Sequence, residues 1–418
     1  MFKLALQSLW NRRLTAALTI FSITISVVLL LGVERMRYEA RDNFTRTIAG
    51  TDLLVGARSG GIQLLLYSVF HIGDATNNMR WSSIEAIRKQ KKVDWVVPLS
   101  LGDSHQGFRV VGTEKNIFKR YKFGNKQSLT FAQGQTFDGV FQAVLGADVA
   151  SQLNYQIDQK IVLSHGVEKN SLQQHQDKPF SVSGILQRTG TPLDRAILVS
   201  LQGIEALHID WLDGAPAIPG FSISADRVKQ MDLQPKAVTA AFVGLKSRIA
   251  AFSVQRWINE YSGEPLMAVL PGVTLQQLWQ LISVVEKILL AISLLVVVAG
   301  LSGMLTAILT SLNERRREMA ILRAVGARPL HIFILLELEA LFYGLIGCLA
   351  GLASLYLLLG LLGPLLQSQY GITVGFDWPR QSEWLMLSGV LAGAALVGFI
   401  PAWRAYRNAL SDGLSLHY

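Results

Sequence analysis

The sequence predicts a membrane protein with four transmembrane α-helices and a large α+β extracytoplasmic domain between the first and second. Three observations predict it: four apolar runs of membrane length, an uneven spread of basic residues around them, and a long intervening stretch built of short β-rich runs. Half of the 418 residues are hydrophobic, which already assigns part of the chain to lipid.

The first run, Leu14–Val33, is twenty residues without a charge; Ile288–Leu312 is twenty-five, Ala340–Gly363 twenty-four and Trp384–Pro401 eighteen. At about 1.5 Å per helical residue, each reaches roughly the 30 Å of a hydrocarbon core. Lys3, Arg12 and Arg13 precede the first run as they would in a signal peptide. That run is long, however, and passes into Glu34-Arg35-Met36-Arg37 with no small-x-small cleavage site, so it reads as an uncleaved anchor.

Basic side chains resist translocation and so fix orientation. The N-terminal segment carries three and Asn313–Pro329 carries five (Arg315, Arg316, Arg317, Arg323 and Arg328), while Pro364–Glu383 carries only Arg380. Arg404 and Arg407 follow the last run. Both termini and the arginine-rich connector are therefore expected on the cytoplasmic side, and the long stretch outside. Trp378 and Trp384 suit the outer interface, Trp10 and Trp403 the inner one. The expected organisation is residues 1–33 for the N-terminus and first membrane helix, 34–280 for the outer domain with a stalk helix at each end, and 281–312 for the second membrane helix. A cytoplasmic helix then occupies 313–329, the third membrane helix 330–363, a short outer loop 364–383, the fourth membrane helix 384–403 and the tail 404–418.

Within the outer stretch, Trp95–Leu101, Phe108–Thr113, Lys160–His165, Phe180–Leu186 and Arg195–Leu201 read as strands separated by Gly, Asn and Asp turns. Ser82–Lys91, Leu201–Leu207 and Lys246–Tyr261 read as helices, and a division into two lobes is expected near residues 125–140. Leu275, Leu278, Trp279 and Ile282 have helical spacing and lead into the second membrane helix.

The net charge of +9 does not mark a nucleic-acid protein, because the outer stretch holds 27 Lys and Arg against 22 Asp and Glu, dispersed along it. Its one cysteine, Cys348, lies in the third apolar run, so the outer domain must be stabilised by its own core. "GFRVVGTEK", Gly107–Lys115, has Thr113 where a phosphate loop requires lysine, so no nucleotide site is expected in it. Neither G-x-S-x-G nor HExxH occurs, and no catalytic residue is assigned. His165, His175 and Asp177 are close in sequence but lack paired H-x₃₋₅-H or cysteine spacing, so no metal is assigned to them.

Glu337 and Glu339 fall near the start of the third apolar run, where an ionised carboxylate costs a few kcal/mol. A snorkelling or helix-bonded pair is the expectation, since the other runs offer no deeper partners for a proton relay. Gly347 and Gly351, and Gly389 and Gly393, have the GxxxG spacing that lets helix backbones approach closely, within a chain or between subunits.

The segment "NERRREMAILRAVGARP", Asn313–Pro329, is more than a topology signal. Glu318, Ile321, Leu322 and Val325 share one helical face, Glu314 can pair with Arg317, Gly326 is placed to end the helix, and Pro329 to begin the next. Apolar side chains on so short a connector suggest a docking surface.

This segment with its continuation, "ERRREMAILRAVGARPLHIFILLELEALFYGLIGCLAGL", resembles the signature of the FtsX-like, MacB-like family of ABC transporter permeases. "IPAWRAYRNALSDGL" resembles the family's closing segment, with Ala409 where a proline often stands, and "LALQSLWNRRLTAALTIFSI" its N-terminal helix. "VVPLS", "VVGTE" and "ILQRTGTPLD" resemble the periplasmic core more loosely. The resemblance implies a bacterial inner-membrane permease working as a dimer, of one chain or of two related ones, on two copies of a separate ABC ATPase. That partner would bind the ATP and Mg, and this chain would need no cofactor. Coupling would fall to Glu314, Arg317, Glu318, Ile321, Leu322, Arg323 and Gly326. ATP-driven closure would move the connector, and the stalks would pass the motion to the outer domains. Export or extraction of a periplasmic or membrane-embedded substrate follows, with a periplasmic adaptor or lipoprotein as possible partner and membrane lipid around it. The alternative is a signalling scaffold that activates a cell-wall hydrolase.

Overall fold

The computed structural model describes residues 13–166, 175–211, 223–314, 319, 321, 323–370 and 377–411. It divides into a membrane unit and an outer unit, with boundaries between Glu39 and Ala40 and between Leu281 and Ile282. Among the described residues, four helices carry stretches long and apolar enough to cross a membrane. They are Arg13–Thr47, Pro271–Glu314, Pro329–Tyr370 and Gln381–Ser411.

The second of them has 44 residues, about 66 Å at helical rise and roughly twice what the hydrocarbon core requires. The second and third helices each begin with a proline, whose missing N–H costs nothing in a first turn. At the fourth, the backbone N–H of Arg380 donates to the Glu383 carboxylate at 2.9 Å, the return bond of a capping box.

Ile23, Val27 and Leu31 of the first helix pack in one core with Met304 and Ile308 of the second, Leu336 and Ala340 of the third, and Ala394 and Ala402 of the fourth. Gly347 and Gly351 permit close approach of the third helix to the first. A Cβ on Gly347 would stand 2.5 Å from Ile23 Cγ2, and one on Gly351 2.6 Å from Val27 Cγ1. Gly393 likewise faces Leu301, whereas Gly389 has open space around it within the chain. Ser26 bridges the first two helices by donating to the carbonyls of Ser22 at 2.8 Å and Val296 at 3.1 Å.

The outer unit is built on an 11-stranded mixed sheet. Its strands, with two small pairs included in the numbering, are β1 Leu53–Ala57, β2 Met79–Arg80, β3 Val93–His105, β4 Phe108–Thr113, β5 Lys122–Phe123, β6 Gln127–Ser128, β7 Phe131–Gly134 and β8 Gln142–Leu145. They continue as β9 Lys160–Ile161, β10 Ser164–His165, β11 Phe180–Leu186, β12 Ala196–Ser200, β13 Ala237–Val238, β14 Ala240–Leu245 and β15 Leu266–Val269. The sheet order is β15-β1-β14-β3-β4-β12-β8-β11-β7, with β10 on β3 and β9 on β11.

Strands β4 and β11 occupy the residues read as strands from their β-rich composition, and β11 buries every second residue from Phe180 to Leu186. Lys160–His165 is not one strand but two short ones, and between them the Val162 carbonyl is taken by His105 Nδ1 at 2.6 Å.

The expected division near residues 125–140 is corrected by the topology. One core gathers Leu53, Val55, Ile84, Val96, Val243, Ile258 and Ala268; the other gathers Val110, Leu145, Val149, Phe180, Val199, Leu207 and Val228. The second lobe is thus inserted within the first, and the sheet runs unbroken through both by the β3–β4 hairpin. A cut in sequence could not reveal a nested pair.

Candidate functional site

The connector between the second and third long helices is the candidate coupling site. Residues 319, 321, 323 and 324 are helical, and the N–H of Val325 donates to the Ile321 carbonyl at 3.1 Å. Gly326 follows with φ +98°, a conformation that favours glycine, and its N–H donates to Arg323 O at 2.9 Å. Arg328 and His331 then exchange bonds across the next helix start: the Arg328 N–H donates to His331 Nδ1 at 3.1 Å and the His331 N–H to Arg328 O at 2.8 Å. Ile321 is 58% and Val325 84% exposed, one turn apart on the same face. Arg323 is half-buried. Arg317, Glu318, Leu322 and the Glu314 side chain lie outside the described residues.

A second polar feature sits in the membrane unit. Arg35, 1% exposed, reaches the Glu383 carboxylate at 3.4 Å, Glu39 at 3.6 Å and the Asp377 carbonyl at 3.1 Å. Arg380 joins through Glu39 at 3.4 Å and lies over the Tyr38 ring. Hydropathy hid this network, because Arg35 and Arg37 read only as flanking charges. Glu339 is also buried and accepts from Tyr343 Oη at 3.1 Å, a helix-bonded carboxylate as expected.

The outer unit holds a third. Asp103 on β3 faces His165 on β10 and His208 at the end of the helix Leu201–His208. His175 and Trp211 pack against His208 with ring centroids 5.2 and 4.9 Å away. Burial pushes Asp103 up, but hydrogen bonds and charge from the histidines outweigh it and hold the carboxyl at about 2. Burial brings His175 down to about 4. For His208, burial lowers, while the Asp103 contact and the Ile204 carbonyl raise it further. Two of the histidines singled out in the sequence thus come together, but their carboxylate is Asp103; Asp177 sits instead 3.5 Å from Lys178. Sequence proximity pointed to the wrong acid, since β3 and the helix reach the cluster only through the sheet.

The FtsX-like permease C-terminal model matches residues 290–411, and the MacB-like periplasmic core domain model matches residues 16–244. The macrolide export ATP-binding/permease protein MacB of Syntrophobacter fumaroxidans is 30% identical over 133 residues, which are 30% of this chain and 17% of that relative. The match therefore spans under a fifth of that relative's length. Among solved structures, the periplasmic region of MacB from Actinobacillus actinomycetemcomitans aligns at TM-score 0.34 and 12% identity, over 56% of this chain and 94% of that one. The extracellular domain of the noncanonic ABC-type transporter YknZ from Gram-positive bacteria aligns at TM-score 0.30 and 12% identity, over 52% and 99%.

Proposed function

The chain belongs to the FtsX-like, MacB-like family of ABC transporter permeases, and on that premise we propose that it couples ATP hydrolysis by a partner subunit to mechanical work in the periplasm. The observation that carries this reading is the exposed pair Ile321 and Val325 on a helical turn closed by Gly326. Leaving two large apolar side chains in water is unfavourable by roughly 1.5–3 kcal/mol each relative to burial, so the turn is built to be covered. The partner that covers it is a separate ABC ATPase, two copies serving two permease chains, with ATP and Mg held by the ATPase. Both termini and the connector face the cytoplasm in this reading.

Supporting a mechanical role, the first and second long helices have 35 and 44 residues, more than a membrane needs, and the excess serves as levers toward the outer domain. The work done is export or extraction of a periplasmic or membrane-embedded substrate such as a lipoprotein, lipid, peptide or small molecule.

Native mass spectrometry of gently extracted complexes tests the assembly: two permease chains with two ATPase chains is the expected composition. Glu318→Lys is expected to lower coupled ATP turnover with membrane insertion intact. A permease recovered alone, where other ABC complexes survive, would overturn the reading.

A further inference from the structure

The acid–histidine cluster of the outer unit plays no part in coupling, and its geometry fits a ligand of another kind. Asp103 Oδ1 lies 3.2 Å from His165 Nδ1 and 3.5 Å from His208 Nε2, and one donor atom from each of the three residues falls within 4.8 Å of the others. Around a tetrahedral zinc with bonds of about 2.1 Å, neighbouring donors stand about 3.4 Å apart. Two edges of the cluster already have that length.

The tautomer of His208 points the same way. Its Nδ1 is 3.0 Å from the Ile204 carbonyl, which only accepts, so Nδ1 carries the hydrogen. In the neutral ring Nε2 is then a lone pair, buried, with no hydrogen bond of its own, and it faces a carboxylate oxygen. Two acceptors at that distance hold either a proton, as in an imidazolium, or a metal ion between them. A backbone carbonyl behind the ring is also how metal-bound histidines are oriented.

His175 supplies an independent sign. It is 5% exposed, its Nε2 is buried without a hydrogen-bond partner, and its ring packs on His208 and Trp211. Trp211 also packs against His165 at 5.0 Å, so one indole walls all three imidazoles. The neighbouring cation, Lys178, is matched by Asp210 at 2.8 Å and leaves the charge of Asp103 for the cluster.

We propose that Asp103, His165 and His208 bind a divalent transition-metal ion of the zinc type, with His175 packed beside them. Imidazole with one carboxylate suits zinc and excludes the all-oxygen preference of calcium and magnesium. The ion would tie β3, β10 and the helix Leu201–His208 together within the inserted lobe.

The test uses the full chain without a polyhistidine tag, stripped with chelator in detergent and titrated with zinc by calorimetry and with cobalt by absorption. One ion per chain, a Kd below about 10 µM and the intense visible bands of tetrahedral cobalt are expected. His165→Gln, a half-exposed position, should weaken binding about tenfold or more, and His208→Gln should abolish the cobalt bands. At one zinc concentration, the unfolding temperature should rise most in the natural chain, less in His165→Gln and not at all in His208→Gln, which separates lost binding from lost folding. Absence of saturable binding by the natural chain, or binding unchanged in both variants, would overturn the site and leave an imidazolium–carboxylate pair in its place.

Discussion

Arg35 Nη1 lies 3.4 Å from both carboxylate oxygens of Glu383, and the two side chains are 1% and 2% exposed. The pair joins the first long helix to the start of the fourth, where Glu383 also caps the Arg380 N–H. Ions taken out of water in this way are held by geometry, and removing one partner leaves the other charge buried. Glu383→Ala is expected to destabilise the detergent-purified chain by about 3 kcal/mol, read as a lowered unfolding temperature. Arg35→Met combined with Glu383→Met should recover most of that loss.

Gly347 is predicted to tolerate no larger side chain without loss of stability. Gly347→Val forces a side chain against Ile23 and should cost about 1–3 kcal/mol by thermal unfolding. Gly389→Ala meets open space in a helix interior and should stabilise by about 0.5–1 kcal/mol. A loss of permease dimers in Gly389→Leu, seen by native mass spectrometry, would assign Gly389 to a contact between subunits.

Ile321 and Val325 project into solvent, so replacing them should not disturb folding. Ile321→Asp with Val325→Asp is expected to reduce copurification of the ATPase about tenfold or more while the unfolding temperature stays within a degree or two. Unchanged copurification would detach the exposed face from the proposed docking role.

His71 titrates abnormally low, at about 4, because burial disfavours its charged form and Arg109 adds repulsion. The unfolded chain binds a proton at about 6.5, so between about 6.5 and 4 it binds more protons than the folded one. Stability from His71 is complete above that window and is lost as pH falls through it. His71→Asn, which keeps the backbone at φ +56°, should flatten this part of the pH–stability curve. An unaltered curve would show that His71 titrates normally.

Length and apolarity made the four membrane helices legible, since lipid leaves a chain few alternatives. β-rich composition between turn residues did the same for β4 and β11. What pattern did not show are relationships between distant residues: Arg35 with Glu383, Asp103 with His208, and the insertion of one lobe within the other. Each charge or histidine, taken alone, reads as an ordinary surface residue. The turn at Gly326 lay between these extremes, because a glycine after an amphipathic run has one simple backbone explanation.

The nested sheet has a mechanical consequence. The outer stretch enters on β1 and leaves on β15, and these strands are antiparallel neighbours with Leu54 opposite Val269. Both ends of the chain therefore emerge at the same end of one strand pair. Pulled apart, they would load its hydrogen bonds one at a time, like a zip, which is the weak direction of such a pair. Moved in step, they load none of them. A displacement passed to this domain without opening it is one in which both ends travel together, which makes a concerted stroke the motion the sheet withstands.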